Sequence, residues 1–208
     1  MDLYERFKSE LFPGYGGDQE AAKLFSEIKG SYSGPCRHYH NLGHIQNCLN
    51  VFDFVAHGAV EKKAIVAAIY YHDIVYDSTA KDNEARSAEF AQERLDETGF
   101  GNPFSAKVRN LILATKHLGG LDSYDEQVMA DVDLSELAVD YKTFVSNTHK
   151  IRKESSWVDA ADFRKGRVDF FRKMLERPSI YYTEPFQFLF EARARENLQH
   201  SVDELTER

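Results

Sequence analysis

Three stretches hold the groups of this chain that could bind a metal ion: Arg37-His38-Tyr39-His40-Asn41-Leu42-Gly43-His44, His72-Asp73 and Asp131-Val132-Asp133-Leu134-Ser135. His40 and His44 stand four residues apart, a spacing that on a helix puts two imidazoles one turn apart on one face. His72-Asp73 sets an imidazole beside a carboxylate at the end of an apolar run, and Asp131 or Asp133 supplies a carboxylate much later. An ionised aspartate is rarely buried alone, because losing water disfavours its charge. A divalent cation would offset that for Asp73 and Asp133 together. Imidazole and carboxylate donors suit Mn, Fe, Co, Ni, Zn or Mg, and the absence of thiolates argues against a structural zinc site. A lone histidine on an apolar helix is ordinarily a core or surface residue, so it is the co-occurrence of these groups that predicts a metal site.

Helices must position them. Apolar spacing and well-placed breakers predict an all-α bundle of about eight to ten helices. Residues 3–12 read as a short helix stopped by Pro13-Gly14 and Gly16-Gly17, after which Asp18 can cap a helix broken by Ser33-Gly34-Pro35. The next begins near Tyr39 or His40 and ends by Gly58. Residues 64–71 are apolar nearly all round, as a central buried helix would be, although Ile65, Val66 and Ile69 would also allow a strand. Further helices are expected over 84–98, from Pro103 to His117, and over 123–137, 141–154 and 159–176, with a last one opened by Pro185. The expected organisation is a single domain over 1–208, with its core in roughly 36–140 and C-terminal helices 141–203 packed on it.

The chain has 208 residues, 42% of them hydrophobic, which is ample for one core without disulfide staples. A net charge of −8 argues against a general nucleic-acid binder, which needs positive charge to replace counterions. It leaves room for a local basic patch and a small phosphorylated substrate. Cys36 and Cys48 form no Cys-x-x-Cys pattern and read as idle thiols of a reducing cytosol. No basic segment precedes an apolar one at the start, and no apolar run is long enough for a bilayer span. These features predict a cytoplasmic protein with no membrane partner, and they leave a homodimer open.

His72-Asp73, preceded by a histidine-bearing stretch and followed by Asp-x-Asp-Leu, resembles the HD superfamily of metal-dependent phosphohydrolases. The similarity is closest to a group of small HD phosphohydrolases of about this length and runs almost end to end. It is carried by Arg37 to His44, His72 to Asp77, Asn83 to Ala88, Thr115-Lys116-His117, Asp131 to Ser135, and Arg195-Glu196-Asn197-Leu198. Tyr39 to His44 is also similar to the Tyr-His-Asn-x-x-His signature of cyclic-nucleotide phosphodiesterases. The resemblance implies His44, His72, Asp73 and Asp133 as metal ligands and His40 as general acid. Other HD proteins place a ligand nearer the position of His40, so those two roles could be exchanged. Asp133 is preferred to Asp131 because it matches the Asp-Leu-Ser of the phosphodiesterase pattern; Asp131 would support the site from behind or cap a helix. The chain is shorter than phosphodiesterase catalytic domains, their purine-clamping glutamine is not located, and the His-His pair of three-histidine HD sites is missing. The pattern therefore implies the chemistry and not cyclic-nucleotide specificity.

Other residues have both a functional and an ordinary reading. His117 could bind a second metal or, with Lys116, a substrate phosphate, or could be a histidine favoured by a helix C-terminus. Tyr76 and Asp77 are close enough to His72-Asp73 to line a pocket mouth, with Asp77 holding a second cation through water. Glu84 is a candidate acid–base residue, or simply an acidic residue in a first helical turn. Basic residues outnumber acidic ones over 150–177, where Arg152, Arg164 and Arg167 are candidates for a phosphate fork on what is otherwise a solvated face. Tyr181, Arg193, Arg195 and Asn197 lie in the family-like tail and could be structural. The expected reaction is hydrolysis of a phosphoester or phosphoanhydride in a small, nucleotide-like molecule. The alternatives are an HD-fold di-iron oxygenase, for which His117 is the evident spare ligand, and a non-catalytic module that binds a nucleotide or a partner.

Overall fold

The computed structural model describes residues 2–14 and 17–207; Gly16, one of the expected helix stops, lies outside them. Ten α-helices follow in order: α1 (Leu3–Leu11), α2 (Asp18–Tyr32), α3 (Leu42–Val55), α4 (Lys62–Tyr71), α5 (Asn83–Glu97), α6 (Asn102–Ala114), α7 (Tyr124–Asp133), α8 (Tyr141–Glu154), α9 (Ala160–Leu175) and α10 (Glu184–Thr206). Ala56–Gly58 and Leu134–Ala138 are 3-10 turns, and the described residues contain no strand. None of their helices is long and apolar enough to cross a membrane.

The bundle is built around α4. Every residue from Ala64 to Tyr71 is buried, so this helix needs neighbours on all sides, and α1, α3, α5, α6 and α7 surround it. That enclosure decides for helix over strand despite three β-branched residues. The core reaches beyond residues 36–140. Phe7 and Leu11 of α1, with Leu24 and Ile28 of α2, join the same buried cluster as Phe186 and Leu198 of α10. Phe7 meets the Tyr70 ring edge-on at 5.0 Å, and the Tyr70 hydroxyl donates to the Leu3 carbonyl at 2.9 Å.

Three of the boundaries that differ from expectation have a clear local reason. Helix α3 starts at Leu42, because Asn41 takes an extended backbone as N-cap and its Oδ1 accepts from the Gly43 N–H at 2.8 Å. His40 therefore precedes the helix and shares no helical face with His44. Asp18 is the first residue of α2 rather than its cap, and its carboxylate pairs with Lys8 Nζ at 2.9 Å. Helix α7 stops at Asp133, where the chain tightens into the 3-10 turn on which α10 packs.

Candidate metal centre

The metal-binding groups all hang on helix ends that meet at one place. His44 is in the first turn of α3, His72 is the C-cap of α4 with Asp73 behind it, and Asp133 is the last residue of α7. His117 lies in the turn after α6. His44 Nε2 stands 3.1 Å from His72 Nε2 and 3.3 Å from Asp133 Oδ1, and His72 Nε2 is 3.4 Å from the same oxygen. Asp73 Oδ2 lies 3.1 Å from His72 Nε2 and 3.8 Å from His44 Nε2. Donors about 2.1 Å from one cation sit roughly 3.0 Å apart at octahedral right angles and about 3.4 Å apart in a tetrahedron. The spacing of His44, His72 and Asp133 fits such a shell, and this cluster could hold a metal ion.

The His72 imidazole is oriented so that it could serve such an ion. His72 Nδ1 lies 2.9 Å from the Ile69 carbonyl, which can only accept, so Nδ1 carries the proton and Nε2 turns a lone pair inward. Two inward nitrogens at 3.1 Å need a cation or a proton between them. Burial alone would lower the His72 imidazole, but Asp73 and Asp133 outweigh it and hold His72 well above its ordinary 6.5. Burial likewise raises Asp133, yet hydrogen bonds from His117, His44 and His72 bring it well below the carboxylate range. The two histidine side chains are 1–2% exposed, while Asp73 and Asp133 keep 16% and 18%. The floor is thus closed and the carboxylate side opens to solvent.

Behind His44, Glu136 Oε1 lies 3.6 Å from Nδ1, and the amides of Asn47 and Asn147 donate to this carboxylate at 2.7 and 2.6 Å. The Cys48 thiol packs 3.7 Å from the His44 ring, whereas Cys36 is exposed.

His40 belongs to a second constellation beside the first. Its Nδ1 bonds Glu154 Oε2 at 2.6 Å, and Glu154 Oε1 accepts from the Tyr39 and His40 N–H groups at 2.7 and 3.0 Å. The Tyr76 hydroxyl donates to Oε2 at 3.1 Å while its ring covers His40 at 4.3 Å. Burial acts to raise Glu154, but these donors outweigh it and hold the carboxyl below its ordinary 4.5. Arg37 fastens this stretch to the one that follows α4, donating to the carbonyls of His40, Asp73 and Ile74. Sequence reasoning missed Glu154 and Glu136. Glu154 lies 114 residues from His40 within a basic stretch, and no local signal singles it out.

His117 reaches the cluster through Asp133 rather than merely ending a helix. Its Nε2 lies 2.8 Å from Asp133 Oδ2, its backbone is left-handed (φ 55°), and Arg177 donates to its carbonyl at 2.6 Å. A non-glycine residue in that region is strained, and such strain concentrates at functional sites. Asp131 lies outside the cluster of His44, His72 and Asp133. Its oxygens accept from the Tyr182 and Thr183 N–H groups and the Thr183 hydroxyl, all at 2.8 Å, so it caps α10 from another helix. Burial pushes its carboxyl up to about 6 against those donors.

The remaining candidates make other contacts. Asp77 is exposed, and its Oδ1 accepts from both the N–H and the hydroxyl of Thr79, which makes it a turn brace rather than a cation holder. Glu84, Lys116 and Arg164 have no side-chain hydrogen bond or ion pair among the described residues, and Lys116 directly precedes His117. Arg152 spends its Nη groups on the carbonyls of Ser155 and Val158 and stacks on Phe163, so it closes the turn after α8 instead of forming a phosphate fork. Arg167 lies over Phe170 and Phe171 with a buried, unpartnered Nε, and burial lowers it to about 10. In the tail, the Tyr181 hydroxyl donates to Leu134, Arg195 to the carbonyls ending α9, and Asn197 to Leu137 and Val139. These three are structural, and Arg193 is an exposed residue near Glu196. No protein-family model, curated protein or solved structure matches the chain.

Proposed function

We propose that this chain is a metal-dependent phosphohydrolase of HD type, acting in the cytoplasm on a phosphoester or phosphoanhydride of a small, nucleotide-like molecule. The observation that carries the reading is the convergence of His44, His72 and Asp133 within one coordination shell's width, open on the carboxylate side. His44, His72, Asp133 and the adjoining Asp73 would hold the ion. A divalent cation there would acidify a bound water and offset charge on the phosphoryl oxygens. His117 holds Asp133 Oδ2 and so fixes which carboxylate oxygen faces the imidazoles. His40 keeps a proton for the leaving oxygen: Glu154 anchors Nδ1, and Nε2 makes no hydrogen bond among the described residues. An imidazole held by a carboxylate through one nitrogen, with the other free to face a substrate, suits that role.

Elemental analysis of purified variants tests the assignment. His72→Ala and Asp73→Ala should lose both bound metal and hydrolysis of phosphorylated metabolites, whereas His40→Ala should keep the metal and lose turnover. An unchanged metal content in His72→Ala would show that the ligands have been misassigned.

A further inference from the structure

Trp157 is the only tryptophan of the chain, and it stands 59% exposed. The indole is tethered to a segment that also contacts His40. The turn that displays the indole is closed by Arg152, which donates to the carbonyls on either side of it at Ser155 and Val158. The indole Nε1–H donates to Ser78 Oγ at 2.8 Å. Both anchors lead back to His40. Glu154, which bonds the His40 ring, ends α8 three residues before Trp157, and Tyr76, whose ring covers His40, lies two residues before Ser78. The indole therefore bridges the two segments that hold the proton donor. Its single N–H is already used, so what it offers to a ligand is a flat π-face held in place.

We propose that Trp157 is a stacking platform for a nucleobase on the leaving-group side of the site, which makes the substrate a nucleoside phosphate. The term leaving-group side rests on the phosphohydrolase reading; the stacking does not. A base stacks well on an indole whatever its identity, because every base has a π-face, and the ordering cost is small where the indole is already immobilised. The net charge of −8 points to a mononucleotide rather than a polymer, whose backbone this surface would repel.

With one tryptophan, intrinsic emission excited at the red edge of indole absorption reports on this residue alone. The protein is titrated with the common nucleoside 5′-monophosphates and with ribose 5-phosphate, metal-free and metal-loaded. Saturable quenching by at least one nucleotide and none by ribose 5-phosphate is expected. By calorimetry, Trp157→Leu should bind that nucleotide about tenfold more weakly. Trp157→Phe should restore most of the loss, and both variants should retain metal content and affinity for inorganic phosphate. No emission change with any nucleotide, or equal affinity in Trp157→Leu, overturns the proposal. Quenching without any hydrolysis would instead overturn the phosphohydrolase reading and leave the platform standing. Hydrolysis confined to esters without a ring, with no quenching, would do the reverse.

Discussion

Glu154→Gln would separate the proton-donating role proposed for His40 from the binding of an ion. Glu154 accepts from the N–H groups of Tyr39 and His40 through one oxygen, and from the His40 ring and the Tyr76 hydroxyl through the other. Glutamine can keep the first oxygen and both backbone donors. Its amide NH₂ then faces His40 Nδ1 and donates to it, which turns Nδ1 into an acceptor and removes the negative charge beside the ring. A positioned general acid is worth about 10²–10⁴ in rate, or roughly 3–5 kcal/mol of barrier. The fold should survive at a cost of about 1–3 kcal/mol, since only the second oxygen's partners are lost. The decisive assay compares two leaving groups. An alkyl phosphoester, whose departing alkoxide needs a proton, should slow by that factor, while a p-nitrophenyl ester, whose phenolate leaves unaided, should slow little. Metal content should not change. Equal slowing of both esters would refute the proton-donor role, and so would an undiminished rate on the alkyl ester.

The same carboxylate gives a pH signature. Its folded value lies below 4.5, so the stability it contributes is present in full above that pH and is lost as pH falls through the folded value; the wild-type advantage over Glu154→Gln in denaturant melts should vanish in that acid range. Asp131→Ala strips three hydrogen bonds from the start of α10 and leaves two N–H groups without an acceptor, which should cost roughly 2–4 kcal/mol in chemical denaturation. A cost below about 0.5 kcal/mol would show that water replaces the cap. Arg152→Ala should leave the affinity for inorganic phosphate unchanged by calorimetry but speed amide exchange in the turn at 155–158, whereas a phosphate fork would show the opposite pattern.

The helices were legible because their ends are chemically marked. Pro13-Gly14, Gly99, Pro103 and Pro185 sit where the backbone must stop or start, and the all-apolar face of α4 leaves no position for it but the centre. His40 was read onto a helix because spacing alone cannot reveal that Asn41 prefers to cap, which shifts the start by two or three residues. That a histidine of the stretch at 37–44 meets His72 was legible as a pattern of residue types, whereas His44 in preference to His40 was only what the resemblance to HD proteins implies. The partner of His40 was not legible, since Glu154 looks like any acidic residue in a charged helix until α8 is folded against the segment at 37–41. Arg152 misled in the opposite way. Its charge is visible in the sequence, whereas the carbonyls that absorb its donors come from a turn that exists only in three dimensions.

Placing every candidate ligand at or beside a helix terminus has a thermodynamic consequence. Termini fray one by one, each opening with its own small free energy, while the middle of α4 opens only with the whole bundle. A cation shared by the start of α3 and the ends of α4 and α7 would tie those independent openings together. Amide protons near His44, His72 and Asp133 would then exchange in concert and more slowly, while the interior of α4 changed much less. Ion loading would thereby turn three loose strings of residues into one cooperative unit.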